Sequence, residues 1–257
     1  VKGILMNKET NEPMLDDNGE EITAESTFTA EERNGSVDVT FVFPGANLRG
    51  QSVVAFEDCY FNDFKVAVHA DIEDEDQTVH IPEICTTATD LETKDHVALA
   101  DDDVTIVDTV SFKNLIPGKE YRMTGILMDR ATGKPLLDLN DHKIMTGASF
   151  TPEASDGTVE LQFQFDGTGL EGTTAVVFED CWYNGKLIAQ HADISDEEQT
   201  VDLPEVRTTA IDTETENHIS YADEDITIVD TVEYSNLNPG KEYTVKGILM
   251  DKETGEA

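Results

Sequence analysis

The chain has 257 residues, 17 of them Lys or Arg and 55 Asp or Glu, for a net charge of −38 at pH 7. Such a polyanion repels nucleic-acid phosphate and anionic lipid, which argues against DNA, RNA or membrane-surface binding. With 38% hydrophobic residues it has the material for a core, yet it has no apolar window of the ~18 residues a membrane span needs, and residues 1–6 carry no signal-peptide pattern.

The first recognisable string, Gly3-Ile4-Leu5-Met6, returns as Gly125-Ile126-Leu127-Met128 and again as Gly247-Ile248-Leu249-Met250, an offset of 122 residues. The same offset relates His69 to His191, Gln77 to Gln199, Thr86 to Thr208 and Asp108 to Asp230. A period this long is one independent domain rather than a solenoid unit. Register divides the chain into the C-terminal part of one repeat (1–82), a complete unit (83–204) and the N-terminal part of the next (205–257). The chain therefore reads as an excerpt of a longer stalk of neighbouring repeats. Because Val1 corresponds to Val245, the partial units of two molecules are expected to complement each other head to tail.

Within the complete unit, short β-rich runs are predicted in turn at 84–90, 104–113, 119–129, 143–151, 158–166, 173–183, 186–193 and 198–203. Pro117-Gly118 and Asn184-Gly185 mark tight turns. No stretch sustains a helical period. The expected class is all-β, with tandem immunoglobulin-like β-sandwich domains. Three cysteines, with no Cys-x-x-Cys pair, make neither a disulfide framework nor a zinc site, so no metal and no cofactor is expected. Cys59, Cys85 and Cys181 read as small, semi-buried thiols.

Strand alternation places polar groups on the inner faces. Ile106, Asp108, Val110 and Phe112 share a face, and the third unit repeats this with Asp230 between Ile228 and Val232. A buried carboxylate costs several kcal/mol unless it is paired or protonated. Ile84, Thr86 and Ala88 share a face whose opposite carries Cys85, replaced by Arg207 in the next copy, so Thr86 and Thr208 point inward. Gln199 alternates with Val201 and Leu203. Glu179 and His191 join the set without a decisive facing, because both faces of their strands hold apolar groups. A hydroxyl nucleophile, a carboxamide electrophile, a histidine and two carboxyl groups are the parts of an acyl-transfer site with its substrate built in. Taken one by one, they are also ordinary buried polar groups that fix strand register.

The strings Val54-Ala55-Phe56-Glu57 and Val176-Val177-Phe178-Glu179, each followed by a His-to-Gln spacing of eight residues, are similar to the VaFE-repeat domains of Gram-positive surface adhesins, also called Thr-Gln ester-bond domains. The Thr-Thr-Ala first strand and the Ile-Val-Asp-Thr-Val strand match as well, and the resemblance covers the whole chain. It implies an extracellular, cell-wall location and an intramolecular ester between Thr86 and Gln199, formed autocatalytically with loss of ammonia. His191 would assist proton transfer, and Asp108 and Glu179 would polarise the amide and hold the proton that ammonia takes away. The chain would then be no enzyme beyond one self-directed turnover. Thr87 is the alternative nucleophile, disfavoured by its facing. In the partial units the equivalents are Glu57, His69 and Gln77 at one end and Thr208 and Asp230 at the other, expected to be unpaired in an isolated monomer.

Two other functions compete. The acidic runs Asp101-Asp102-Asp103 and Asp193 to Glu198 are candidate calcium or ligand sites, although they lack the spaced glycine of an EF-hand loop. A Lys-Asn isopeptide is a structural alternative, against which Lys113 alternates to the solvent face. No Leu-Pro-x-Thr-Gly sorting motif is present; Leu203-Pro204-Glu205-Val206 reads as a linker.

Overall fold

The computed structural model describes residues 1–222 and 224–257. In chain order, β1 (Lys2–Asn7), β2 (Thr23–Glu25), β3 (Gln51–Phe61), β4 (Phe64–His69) and β5 (Thr78–Ile81) form one sheet, ordered β2-β1-β3-β4 with β5 on β3. Next come β6 (Glu83–Asp90), β7 (Val104–Lys113), β8 (Tyr121–Asp129), β9 (Lys134–Pro135), β10 (Met145–Phe150), β11 (Gly157–Phe165), β12 (Thr173–Tyr183), β13 (Lys186–His191) and β14 (Thr200–Leu203). These nine make two antiparallel sheets, β11-β7-β6 and β10-β8-β12-β13, with β14 on β12 and β9 on β8. A final pair, β15 (Glu205–Asp212) and β16 (Ile228–Ser235), closes the order. The fold is all-β, and no helix among the described residues is long and apolar enough to cross a membrane.

The two sheets of residues 83–204 pack face to face through their alternating residues. Ile84, Ala88, Ile106, Val110 and Phe112 from the small sheet meet Met123, Leu127, Ala175, Val177 and Cys181 from the large one. Tight turns hold the strands in register where the sequence allows left-handed backbone: Asn184 and Gly185, at φ 48° and 71°, join β12 to β13. Gly125 serves a different need. A Cβ there would lie 2.6 Å from the Phe163 ring, which crosses β8 at that point.

One edge of the large sheet is broken. Along the side of β12 away from β8, β14 pairs with Thr173–Val176 and β13 with Glu179–Tyr183, so two strands lie end to end on the same edge. The chain between them, residues 192–199, ends in a 3-10 turn, Glu197–Gln199. The sequence places a strand at 198–203; the structure starts it at Thr200, because Asp196 caps the turn and holds Gln199 within it. This turn, together with β13 and β14, packs against β6, the edge strand of the small sheet.

The remaining segments form half-units. Residues 35–43, at the repeat position of β11, form no strand, because β11 pairs with β7 and residues 1–82 contain no counterpart of β7. In β15–β16 the inner face is uncovered: Ile228 is 44% exposed, whereas its equivalent Ile106 is fully buried. An asparagine in left-handed conformation stands at each junction between successive units. Asn114 Nδ2 donates to the Gln51 carbonyl at 2.6 Å, and Asn236 Nδ2 donates to the Gly172 carbonyl at 2.6 Å.

Gly125→Ala is expected to lower stability by about 1–3 kcal/mol through overpacking against Phe163. A reduced guanidinium midpoint at unchanged slope would show it; an unchanged midpoint would mean that the ring swings aside.

Candidate cross-linking site

Four of the five predicted residues of the complete unit are buried together at the broken edge. Thr86 lies on β6 opposite Val110, and Ala88, one step of the alternation further, lies opposite Asp108 on β7. Glu179 sits on β12 where its pairing with β13 begins, directly opposite His191. Gln199 ends the 3-10 turn that packs on β6. Relative exposures are 7% for Thr86, 0% for Asp108, 1% for Glu179 and 0% for Gln199. Thr87 is exposed, as its facing predicts.

No polar side-chain atom of these four residues makes a hydrogen bond of good geometry, although Thr86, Asp108 and Glu179 lie close enough to influence one another: Thr86 Oγ1, both oxygens of Asp108, both oxygens of Glu179, and the oxygen and nitrogen of Gln199 are all left so. Among the described residues no other buried side-chain N or O is left so. Unpaired buried groups cost about 1–3 kcal/mol each, more if charged, so seven in one place is a large local penalty. Two things relieve it. Ionised carboxylates only accept, whereas one proton shared between Asp108 and Glu179 makes a donor of one of them. A covalent bond between Thr86 and Gln199 removes the hydroxyl proton and the amide nitrogen altogether.

The electrostatics point the same way. Burial pushes both carboxyls up, and Glu179 goes further because the charge of Asp108 adds to its own burial. For Asp108, interaction with Glu179, the Thr86 hydroxyl and His191 offsets part of the rise. The pair therefore titrates as a unit that keeps a proton near neutral pH.

His191 is half-buried, and its Nε2 lies 2.9 Å from Asp196 Oδ2. Sequence reasoning missed Asp196, which stands in what reads as a solvated acidic run. The signal was available: an Asp three residues before Gln199 is well placed to cap the turn that delivers it. Its other oxygen accepts from the Glu198 amide at 2.9 Å. Elsewhere in the run, Asp193 Oδ1 accepts from the Ser195 amide and hydroxyl at 2.9 and 2.6 Å, and Glu197 pairs with Arg130. No group of three His, Cys, Asp or Glu among the described residues is arranged to hold a metal.

The first half-unit assembles the glutamine side of the same arrangement. Glu57 lies opposite His69, and His69 Nε2 is 2.8 Å from Asp74 Oδ2. With its nitrogen turned inward, the Gln77 amide donates to Glu57 Oε2 at 3.2 Å and to the Ala55 carbonyl at 2.9 Å. Burial raises Glu57 as well. The last half-unit carries the threonine side: Thr208 lies opposite Val232 and Ala210 opposite Asp230, the register of Thr86 and Asp108, but Thr208 and Asp230 are exposed. The cysteines differ from one another. Cys181 is buried, its thiol pushed up to about 11 by that burial, while Cys59 is half-buried and Cys85 exposed.

The T-Q ester bond containing domain family matches residues 1–81, 82–203 and 204–257, which is the whole chain. The chain belongs to that family. Among solved structures, it is similar to a bacterial adhesin from Mobiluncus mulieris containing intramolecular disulfide, isopeptide and ester bond cross-links, with 14% identity and a TM-score of 0.41 over 60% of this chain and 75% of that one. A glycosyl hydrolase family 2 member from Bacteroides cellulosilyticus matches at 10% identity and a TM-score of 0.35, over 59% of this chain and 18% of the hydrolase. No curated protein matches.

A pH test isolates the carboxyl pair. In a Thr86→Ala background, which removes the neighbouring hydroxyl, folded Glu179 has a pKa above its unfolded value. Between those two values the folded state holds a proton that the unfolded state has lost, so stability falls as pH rises. Glu179→Gln removes this loss. Its stability relative to the Thr86→Ala parent should climb from pH 4.5 to pH 8 by up to ~1.4 kcal/mol per pH unit. Denaturant titrations at several pH values would read it, and a flat difference would contradict the shared proton.

Proposed function

We propose that residues 83–204 form an ester between Thr86 Oγ1 and the Gln199 side-chain carbonyl carbon, and that the chain is a stretch of extracellular stalk stiffened by such bonds. The observation that carries this reading is the buried hydroxyl and carboxamide, both without hydrogen-bond partners, on segments at the two ends of the unit. In the reaction the Thr O–H and the Gln C–N bonds break and the C–O ester bond forms. The Thr proton passes to His191, while the protonated member of the Asp108–Glu179 pair supplies the leaving nitrogen with the proton it needs to depart as ammonia. The proton held by His191 then restores the acid. The nucleophile and electrophile are consumed, so the chemistry is a single turnover and the product is structural.

Joining β6 to the turn before β14 ties the unit's first and last strands. By analogy with disulfide closure of a loop of ~100 residues, the bond adds about 4–5 kcal/mol. Under tension it matters more, because load entering at β6 leaves at β14 without opening the ladders between them. Tandem units, family membership and the acidic surface together support an adhesin-like stalk at the cell wall. Calcium binding has less support, because the acids at 193–196 are occupied as turn caps and as the partner of His191. An isopeptide has less still, since none of the lysines is buried.

Intact mass should be lower than the sequence mass by one ammonia, and digestion should yield a Thr86–Gln199 peptide pair cleaved by hydroxylamine. Thr86→Ala and Glu179→Gln should each carry the full mass and melt well below the parent. Free Thr86 and Gln199 in folded protein would sink the ester reading, and a hydroxylamine-resistant link would favour an isopeptide.

The half-units extend the proposal to a partner, a second copy of this chain. Gln77 with Glu57 and His69 offers one side of a site, Thr208 with Asp230 the other, and the apolar faces that residues 83–204 bury together are uncovered here. Docked head to tail, Thr208 of one copy would meet Gln77 of the next. At high concentration the chain should then give a ladder on denaturing gels that Thr208→Ala abolishes; monomer alone would refute the pairing.

A further inference from the structure

Among the described residues no ladder ties the strand that carries Thr86 to the strand that follows Gln199: β6 pairs with β7 and β14 with β12, although β6 and β14 pack together. The connection comes from the loop that leaves β6. It begins four residues after Thr86, at the buried Asp90, whose Oδ2 accepts the amides of Glu92 and Thr93 at 3.0 and 2.7 Å. The chain reverses through left-handed Lys94, at φ 57°, and the Thr93 hydroxyl donates to the Val97 carbonyl at 2.7 Å. The arm so formed runs parallel to β14, on the edge away from β12. The Asp202 amide donates to the His96 carbonyl at 2.9 Å, and the Ala98 amide to the Asp202 carbonyl at 2.9 Å. His96 Nδ1 lies 2.9 Å from the carbonyl of Thr200, the residue after Gln199. A carbonyl only accepts, so Nδ1 carries the proton.

The last half-unit shows the same loop with no last strand to grip. Its base is repeated: Asp212 Oδ1 accepts the amides of Glu214 and Thr215 at 3.0 and 2.9 Å, Glu216 is left-handed at φ 51°, and the Thr215 hydroxyl donates to the Ile219 carbonyl at 2.5 Å. Its arm differs. His218, at the place of His96, is exposed and brings Nδ1 to 2.9 Å from the Ala210 carbonyl on its own strand, β15. The base of the loop is therefore built by its own sequence, and the ring takes a different carbonyl according to whether a last strand is there.

We infer that this loop is a clasp that takes hold of the last strand, and that His96 is a positioning residue for the cross-link, holding through the Thr200 carbonyl the segment that delivers Gln199 beside β6. The inference rests on the ester reading and deepens it. Two groups this far apart in the chain react only when held in contact, and holding them supplies much of the rate. The clasp grips the chain next to each of them, and it does so without any bond of the reaction passing through His96.

Ammonia loss is to be followed by intact mass in the full chain, freshly made by cell-free synthesis. His96→Ala should slow it at least about tenfold, because a small misplacement of a reacting group is enough for that, while the cross-linked mass is still reached in the end. His96→Asn, whose amide nitrogen stands where Nδ1 does, should restore most of the parent rate. His96→Phe, which fills the space without a donor, should not. Thr93→Val, which takes the hydroxyl from the Val97 carbonyl, is the second variant should His96→Ala fail to fold, and it too should be slow. The clasp is read apart from the ester in a Thr86→Ala background. There the Ala98 and Asp202 amides should be protected from hydrogen exchange, and adding His96→Ala should speed their exchange at least about tenfold. Parent rates in His96→Ala and Thr93→Val, or a His96→Asn as slow as His96→Phe, would overturn the positioning role. Unprotected amides in Thr86→Ala would overturn the clasp, because the loop would then close only after the bond. Full sequence mass in the parent would instead fail the ester reading, and the exchange result would still report on the clasp.

Discussion

Placing two carboxyl groups against each other inside an apolar sandwich costs several kcal/mol unless a proton or a donor intervenes, and the unit spanning residues 83–204 accepts that cost at Asp108 and Glu179. The surrounding architecture holds the pair in place. β7 carries Asp108 in the middle of a strand whose other inner residues, Ile106, Val110 and Phe112, are buried hydrocarbon. β12 carries Glu179 in the middle of the large sheet, flanked by β8 on one side and β13 on the other. Neither strand can turn its acid outward without turning its whole apolar face with it.

The break in the sheet edge is what brings chemistry to that pair. A continuous strand beside β12 would have sealed the space with backbone; two strands laid end to end leave room for a capped turn. In that opening the turn carrying Gln199 packs against β6, the strand that carries Thr86. The half-units show the parts of this arrangement separately. Gln77 finds Glu57 without a threonine, and Thr208 keeps its register with Asp230 without a covering sheet. Each side is therefore shaped by its own local strands and turn, and the union of the two requires only that the sheets meet.

How much of this was legible depended on how strictly each strand alternates. β6 and β7 face the core on one side only, so Thr86, Thr87 and Asp108 could be assigned from period two alone. β12 buries Val176 and Val177 alike, and a bulge between Cys181 and Trp182 shifts its register, so the facing of Glu179 and His191 was not readable from pattern. Gln199 was placed inward by an alternation that does not hold there: it lies in a 3-10 turn, and Thr200 beside it is buried too. The loop at residues 96–98 covers β14, with Ala98 N bonded to the Asp202 carbonyl at 2.9 Å and His96 Nδ1 2.9 Å from the Thr200 carbonyl. Asp196 escaped notice because a run of acids reads as solvated surface until the turn it caps is seen.

The asparagine at each junction has a consequence for how such units evolve and stack. Its acceptor is a backbone carbonyl, Gln51 in one joint and Gly172 in the other, and a main-chain oxygen is present whatever side chain stands there. The side chains nearby do differ: the Ser52 hydroxyl and the His80 ring meet Asn114 Oδ1 in the first joint, and Lys241 pairs with Asp95 across the second. Drift in the side chains nearby therefore leaves this one main-chain contact available at each junction.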